Sequence, residues 1–128
     1  MAGILLDTHI WAWTLTGDAK LSRLASSALG SAEIFVSPIS IYEITQKVRL
    51  GKWAEMDPMV AVLLETLTAQ RAALAPFSAE IAQEAGLLDW PHRDPFDRIL
   101  AATALVRGMD FISADPVFDA VPGLRRIW

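Results

Sequence analysis

Short apolar runs alternate along this chain with stretches of helical spacing, and a helix-starting residue closes nearly every run. Gly3-Ile4-Leu5-Leu6 ends at Asp7, Glu33-Ile34-Phe35-Val36 meets Ser37-Pro38, Ala73-Leu74-Ala75 precedes Ser78, and Met109-Asp110-Phe111-Ile112 precedes Asp115-Pro116. Runs of this kind read as buried strands. Between them, helical spacing is carried by Leu21, Leu24, Ala25 and Ala28, then by Ile41, Ile44 and Val48 up to Gly51. It returns in Phe96, Ile99, Leu100, Thr103 and Ala104, from Asp94-Pro95 to Gly108. Asp57-Pro58 reads as the cap and first position of a helix bearing Val60, Leu63, Leu64 and Leu67. Ser78 opens a short helix, and Leu124 to Ile127 reads as a last strand. The alternation predicts an α/β fold: a three-layer α/β/α sandwich around a mainly parallel sheet, with more helix than strand.

With 128 residues, 53% of them hydrophobic, and neither repeat nor linker, the chain suits a single domain over 1–128. It is too apolar for disorder. It holds no apolar run long enough to span a membrane, and Met1-Ala2-Gly3 lacks the basic start of a secretion signal. The absence of cysteine removes disulfides, thiol nucleophiles and thiolate metal sites. A cytoplasmic protein is the expectation. The net charge of −4, taken alone, argues mildly against a nucleic-acid partner.

Four carboxylates share one address. Asp7 follows the first strand, Glu43 lies in the first turns after the second, Asp97 lies in the first turn of the Asp94 helix, and Asp115 follows the fourth strand. In a parallel sheet the carboxyl ends of the strands lie along one edge, where ligands bind, so residues 7 and 115 can converge on one pocket. Each acid also has a structural explanation. Asp7, Asp94 and Asp115 are placed to cap helices, Ser40 and Glu43 match a capping box, and Asp97 complements a helix dipole. Capping explains each acid singly better than all four together, since Ser and Thr would cap as well. Clustered carboxylates repel unless a cation neutralises them, and oxygen ligands suit Mg²⁺ or Mn²⁺. Such ions activate water and offset charge at phosphorus, singly or as a pair about 3.5–4 Å apart, so the matching chemistry is phosphodiester hydrolysis.

Four blocks in this order resemble PIN-domain ribonucleases, specifically the VapC-type toxins of bacterial toxin–antitoxin pairs. They are Ile4-Leu5-Leu6-Asp7-Thr8-His9, Ser37-Pro38-Ile39-Ser40-Ile41-Tyr42-Glu43-Ile44, the most specific stretch from His92 to Ala104, and Ile112-Ser113-Ala114-Asp115 followed by Phe118. The resemblance implies a PIN-like fold and a metal-dependent endoribonuclease working through metal-activated water. It places Asp7, Glu43 and Asp97 on Mg²⁺ or Mn²⁺, with Asp115 acting through water or on a second ion. Thr8 and Ser113 match hydroxyl positions beside the site. Asp94 competes with Asp97 for the third acid; Asp97 is preferred because it directly precedes the Arg98-Ile99-Leu100-Ala101-Ala102 face. Ser113 stands where threonine is more usual in the family.

The resemblance also implies an RNA substrate, a small antitoxin laid over the toxin as a helix, and a homodimer. Candidate RNA contacts are Lys47, Arg49 and Lys52, with Arg93 and Arg98 flanking the third acid. The first three serve equally to complement a helix C-terminus, and the two arginines to pair with carboxylates. Trp11, Trp13, Leu50 and Trp53 are candidates for an apolar antitoxin or dimer contact; their alternative is ordinary packing. His9 and His92 lack a metal-binding spacing and read as structural, although His92 stands near enough to Asp94 to approach substrate.

A phospho-receiver domain fits poorly, because all three lysines lie in the first half and Asp7 has no acidic neighbour. A dehalogenase-like phosphatase needs an Asp where His9 stands, and a dinucleotide fold needs a glycine-rich turn after the first strand. A PIN-like binding module without catalysis is the remaining alternative, and four intact acids argue against it. With those acids assigned to a cation site, the acidic balance no longer opposes a nuclease. Arginine supplies eight of the 11 basic residues and binds phosphate in bidentate fashion, so a focused site is favoured over diffuse attraction.

Overall fold

The computed structural model describes residues 3–17 and 20–128; of the leader reading, Met1 and Ala2 lie outside them. Strands β1 (Ile4–Leu6), β2 (Ile34–Val36), β3 (Ala73–Leu74), β4 (Asp110–Ile112) and β5 (Arg126–Ile127) form one sheet in the order β3-β2-β1-β4-β5. All four pairings are parallel, with Leu5 opposite both Phe35 and Phe111. β1 is therefore central, and the strand order reverses beside it, between β1 and β4.

Helices α1 (Thr8–Thr16), α2 (Arg23–Ser31), α3 (Pro38–Arg49), α4 (Leu63–Ala69), α5 (Ala79–Leu87) and α6 (Pro95–Arg107) cover the sheet, joined by 3-10 segments at Ala54–Val62 and Pro116–Ala120. The period of two along β1 explains the layering. Ile4 and Leu6 join Ile10, Trp11, Val36, Ile44, Met56 and Ile112 in one buried cluster, whereas Leu5 joins Trp90, Leu100, Ala101, Phe111 and Phe118 in another. Both faces of the sheet are thus buried at its centre, as the unbroken apolar sequences of β1 and β2 require. Gly3 leads into this sheet, and a Cβ there would run into the Phe35 ring.

Three local expectations change. Asp57-Pro58 does not start a helix: both residues lie inside the first 3-10 segment, and the α-helix begins at Leu63. Within that helix Leu63 and Leu67 are buried, but Leu64 faces solvent. The Ser40–Glu43 capping box is absent. Proline at the first position sets the start of α3, Ser37 caps it by accepting from the Ile39 amide, and Ser40 is left inside the helix. Among the described residues, no helix is long and apolar enough to cross a membrane.

Candidate metal centre

The sheet extends one residue beyond β1, where the Asp7 amide donates to the Ile112 carbonyl at 2.9 Å. This bond puts Asp7 and Ser113 side by side. Asp7 Oδ1 accepts from the Thr8 amide at 2.7 Å, capping α1, and Oδ2 accepts from the Ser113 hydroxyl at 2.7 Å. The same hydroxyl oxygen accepts from the Asp115 amide at 3.1 Å, so Ser113 ties together the loops that carry two of the acids. From β5, Arg126 braces that loop, donating to the Ser113 carbonyl at 3.0 Å and forking onto Asp119. Asp115 in turn caps the 3-10 segment that follows it.

Asp7, Glu43, Asp97 and Asp115 line one cavity of about 570 Å³, together with His9, Ile10, Trp13, Lys47, His92, Asp94, Ala114 and Pro116. The four acids expected from the sequence therefore converge, from four separate elements. Asp7 and Glu43 are almost wholly buried. Burial pushes the Asp7 carboxyl above its ordinary range, and the Glu43 charge adds to this, against the hydrogen bonds from Ser113 and Thr8. Asp97 is pushed up to about 6 by burial, with the charges of Asp94 and Asp7 contributing and the His92 hydrogen bond opposing. Carboxylates that raise one another's pKa in a shared, partly dry pocket are a donor set that a hard divalent cation fits.

Asp94 and Asp97 divide the work that Asp7 does alone. Asp94 Oδ1 caps α6, accepting from the Phe96 and Asp97 amides at 2.8 and 3.4 Å. Asp97 Oδ2 instead meets His92 Nε2 at 2.6 Å. Ligand-type atoms of His92, Asp94 and Asp97 lie within 4.8 Å of one another, so this corner adds a nitrogen to the oxygen donors. His92 is no isolated packing residue. Its ring lies 4.7 Å from that of Trp90, which fixes its aim at Asp97.

The remaining expected residues separate. Lys47 lines the cavity and pairs with Glu43 at 2.5 Å, with its Nζ 5.7 Å from the Trp53 ring. Arg49, Lys52 and Arg93 are exposed and stand outside the cavity lining. Arg98 makes no phosphate site. Its guanidinium donates to the carbonyls of Ala85, Gly86, Leu88, Trp90 and His92, stitching the connection between α5 and α6. Thr8 turns from the acids to pair with Ser40 at 2.8 Å, tying α1 to α3. Trp11 is fully buried, donates to Gln70 at 3.0 Å and cannot be a partner contact; two residues on, Trp13 sits on another face and lines the cavity. Leu50 is 49% exposed, and Trp53 is half-buried. His9, read as structural, has its ring exposed at the cavity and stacked on Trp53 at 4.7 Å and 29°. It stands two residues beyond Asp7, in the first turn of α1.

A five-stranded parallel sheet with acids gathered at its carboxyl edge defines an α/β protein built around a carboxylate pocket. The sequence profile of the PIN domain family matches residues 4–124, and the chain belongs to that family. Among solved structures, it is similar in fold to DNA-bound VapBC from Salmonella typhimurium, at 18% identity, 98% and 97% coverage of the two chains and a TM-score of 0.71. VapBC2 from Rickettsia felis, bound to a DNA fragment from its promoter, gives 18% identity, 96% coverage of each chain and a TM-score of 0.69. A toxin–antitoxin complex from Klebsiella pneumoniae gives 19% identity, 94% coverage of each chain and 0.61. No relative among curated proteins matches.

Proposed function

We propose that the protein is a VapC-like toxin, a metal-dependent endoribonuclease neutralised by a small antitoxin. The observation that carries this reading is the convergence of Asp7, Glu43, Asp97 and Asp115 on one cavity at the carboxyl edge of the sheet. Asp7, Glu43 and Asp97 would hold Mg²⁺ or Mn²⁺. When bound, the ion polarises a phosphate oxygen and lowers the pKa of a coordinated water. Ser113 fixes the Asp7 carboxylate, and His92 fixes that of Asp97, so neither must be ordered as the ligand set closes. Asp115, exposed at the mouth, is placed to orient water. Lys47 supplies positive charge among the acids, where a phosphodiester must approach.

The likeness to VapBC and toxin–antitoxin structures supports the partner half of the proposal, and a homodimer and a cytoplasmic place of action belong to the same reading. Trp53, Leu50 and Trp13 remain candidates for the antitoxin or dimer contact, and Trp11 does not. Alanine at Trp53 should weaken a complex with the cognate antitoxin, measured by titration of the purified pair; unchanged affinity removes that contact. The central test is cleavage of RNA in Mg²⁺ or Mn²⁺ by the wild type, Asp7→Asn and Asp97→Asn. Activity confined to the wild type and abolished by EDTA supports the reading. Activity that survives both substitutions, or the chelator, overturns it.

A further inference from the structure

The metal chemistry leaves one wall of the acid-lined cavity unused. That wall is α1, which contributes His9, Ile10 and Trp13. His9 and Trp13 stand four residues apart and so share a helix face. The His9 ring, exposed, is backed by Trp53 at 4.7 Å and 29°, close to parallel. Trp13, half-buried, leans on Trp128 at 5.9 Å and 52°, and the Lys20 Nζ stands over its ring at 5.6 Å, where a stacking base would displace it. Lys47 joins the two sides of the cavity, paired with Glu43 and lying near the Trp53 ring. Supported aromatic planes thus border the same cavity as the carboxylates.

We propose that His9, backed by Trp53, and Trp13 form a stacking shelf for a nucleobase beside the scissile phosphate. The inference rests on the metal-nuclease reading and adds the side chains that hold a base. A chain of net charge −4, with one cation among the cavity residues, gains little affinity from phosphate attraction. Stacking fills that gap, because every base presents a π-face, and each stacked base contributes about 1–3 kcal/mol. Bases held in a duplex keep their faces covered and cannot use the shelf. A nucleobase is favoured over a partner's side chain because the shelf and the acids share one cavity.

The test is steady-state cleavage in Mn²⁺ by the full chain, using a single-stranded RNA and the same RNA with an abasic residue on either side of the cut. One abasic placement should raise KM by about 5-fold to 150-fold. His9→Ala should raise KM by a similar factor on intact RNA and add nothing on the abasic RNA. His9→Phe, which keeps a ring without its nitrogens, should restore the wild-type KM. Trp13→Phe should be tolerated and Trp13→Leu should not, with thermal melts confirming that both are folded. Equal KM for His9→Ala and His9→Phe, or additive effects of His9→Ala and the abasic site, overturns the shelf while leaving the nuclease intact. Lost antitoxin binding in His9→Ala at unchanged KM assigns the surface to a protein and also overturns it. If no RNA is cleaved, the nuclease reading fails separately. Fluorescence anisotropy with the same RNAs then decides the shelf, and equal affinity of wild type and His9→Ala overturns it.

Discussion

Two helix starts border the cavity, and they solve the same problem differently. At the start of α1, Asp7 both caps the helix and lines the cavity, one oxygen on the Thr8 amide and the other on the Ser113 hydroxyl. At the start of α6 the roles are split: Asp94 caps, and Asp97 faces His92 and the other acids. Both Asp7 and Asp97 carry carboxyls raised by burial. The contrast shows that a capping role does not disqualify a functional one. Where two acids stand three residues apart, substitution can separate fold from chemistry; at Asp7 it cannot.

Removing either buried carboxylate should have the largest effect. Asp7→Asn and Asp97→Asn should each lower metal-dependent RNA cleavage on the order of 100-fold or more, the scale of losing organised charge stabilisation. The two junctions should part in stability. Asp7→Ala loses a cap and strands the Ser113 hydroxyl, costing about 2 kcal/mol in urea unfolding. Asp97→Asn, measured without metal at pH 7, should leave the protein at least as stable, because it removes a charge that burial disfavours. A strongly destabilised Asp97→Asn would erase the distinction.

Arg98→Ala should cost about 3 kcal/mol or more by the same measurement, since five carbonyls lose their donor at once. Arg98→Lys should recover little of it, because an ammonium cannot reproduce the planar fork. Both variants should also loosen the His92 aim and so weaken Mn²⁺ binding.

The next effect concerns pH. The Asp97 carboxyl is raised from an ordinary 3.8 to about 6, so between those values the folded metal-free protein holds a proton that the unfolded chain releases. The stability it contributes is complete below about 4 and is lost as pH rises through 6. Urea unfolding of the wild type against Asp97→Asn, in EDTA from pH 4 to 7, should show this difference declining with pH. Excess Mn²⁺ should reverse the trend for the wild type, because the ion binds the ionised form. The smallest effect belongs to Asp94. Asp94→Ala should cost about 1 kcal/mol, and Asp94→Ser, still able to cap, close to nothing, with cleavage retained in both. Lost cleavage in Asp94→Ser would transfer the site role to this acid.

The fold and the four acids were legible in the sequence because they depend on short-range signals: apolar runs, caps and their order. What was not legible depends on partners distant in sequence. Arg98 reads as a partner for either carboxylate or phosphate until the loop from Ala85 to His92 folds around it. Trp11 and Trp13 are equivalent by composition, and only the meeting of α1 with Gln70 decides which is core. Ser40 and Glu43 satisfy a capping pattern that fails because Ser37-Pro38 starts the helix a turn earlier. No local spacing announces the Trp53 ring stacked against His9. The Asp57-Pro58 start was misplaced because its flanking residues tighten into a 3-10 path, with Met56 buried.

The hydrogen bond from Ser113 to Asp7 joins residues 106 positions apart. Its consequence lies in the timing of synthesis. Asp7 is made before Glu43, but the serine that anchors it follows only 106 residues later, just after β4. β1 waits equally long for its second neighbour in the sheet. A nascent chain is therefore without the assembled acid cluster until β4 and the loop after it have been made. Termination before β4 leaves Asp7 without Ser113 and the cavity without Asp115.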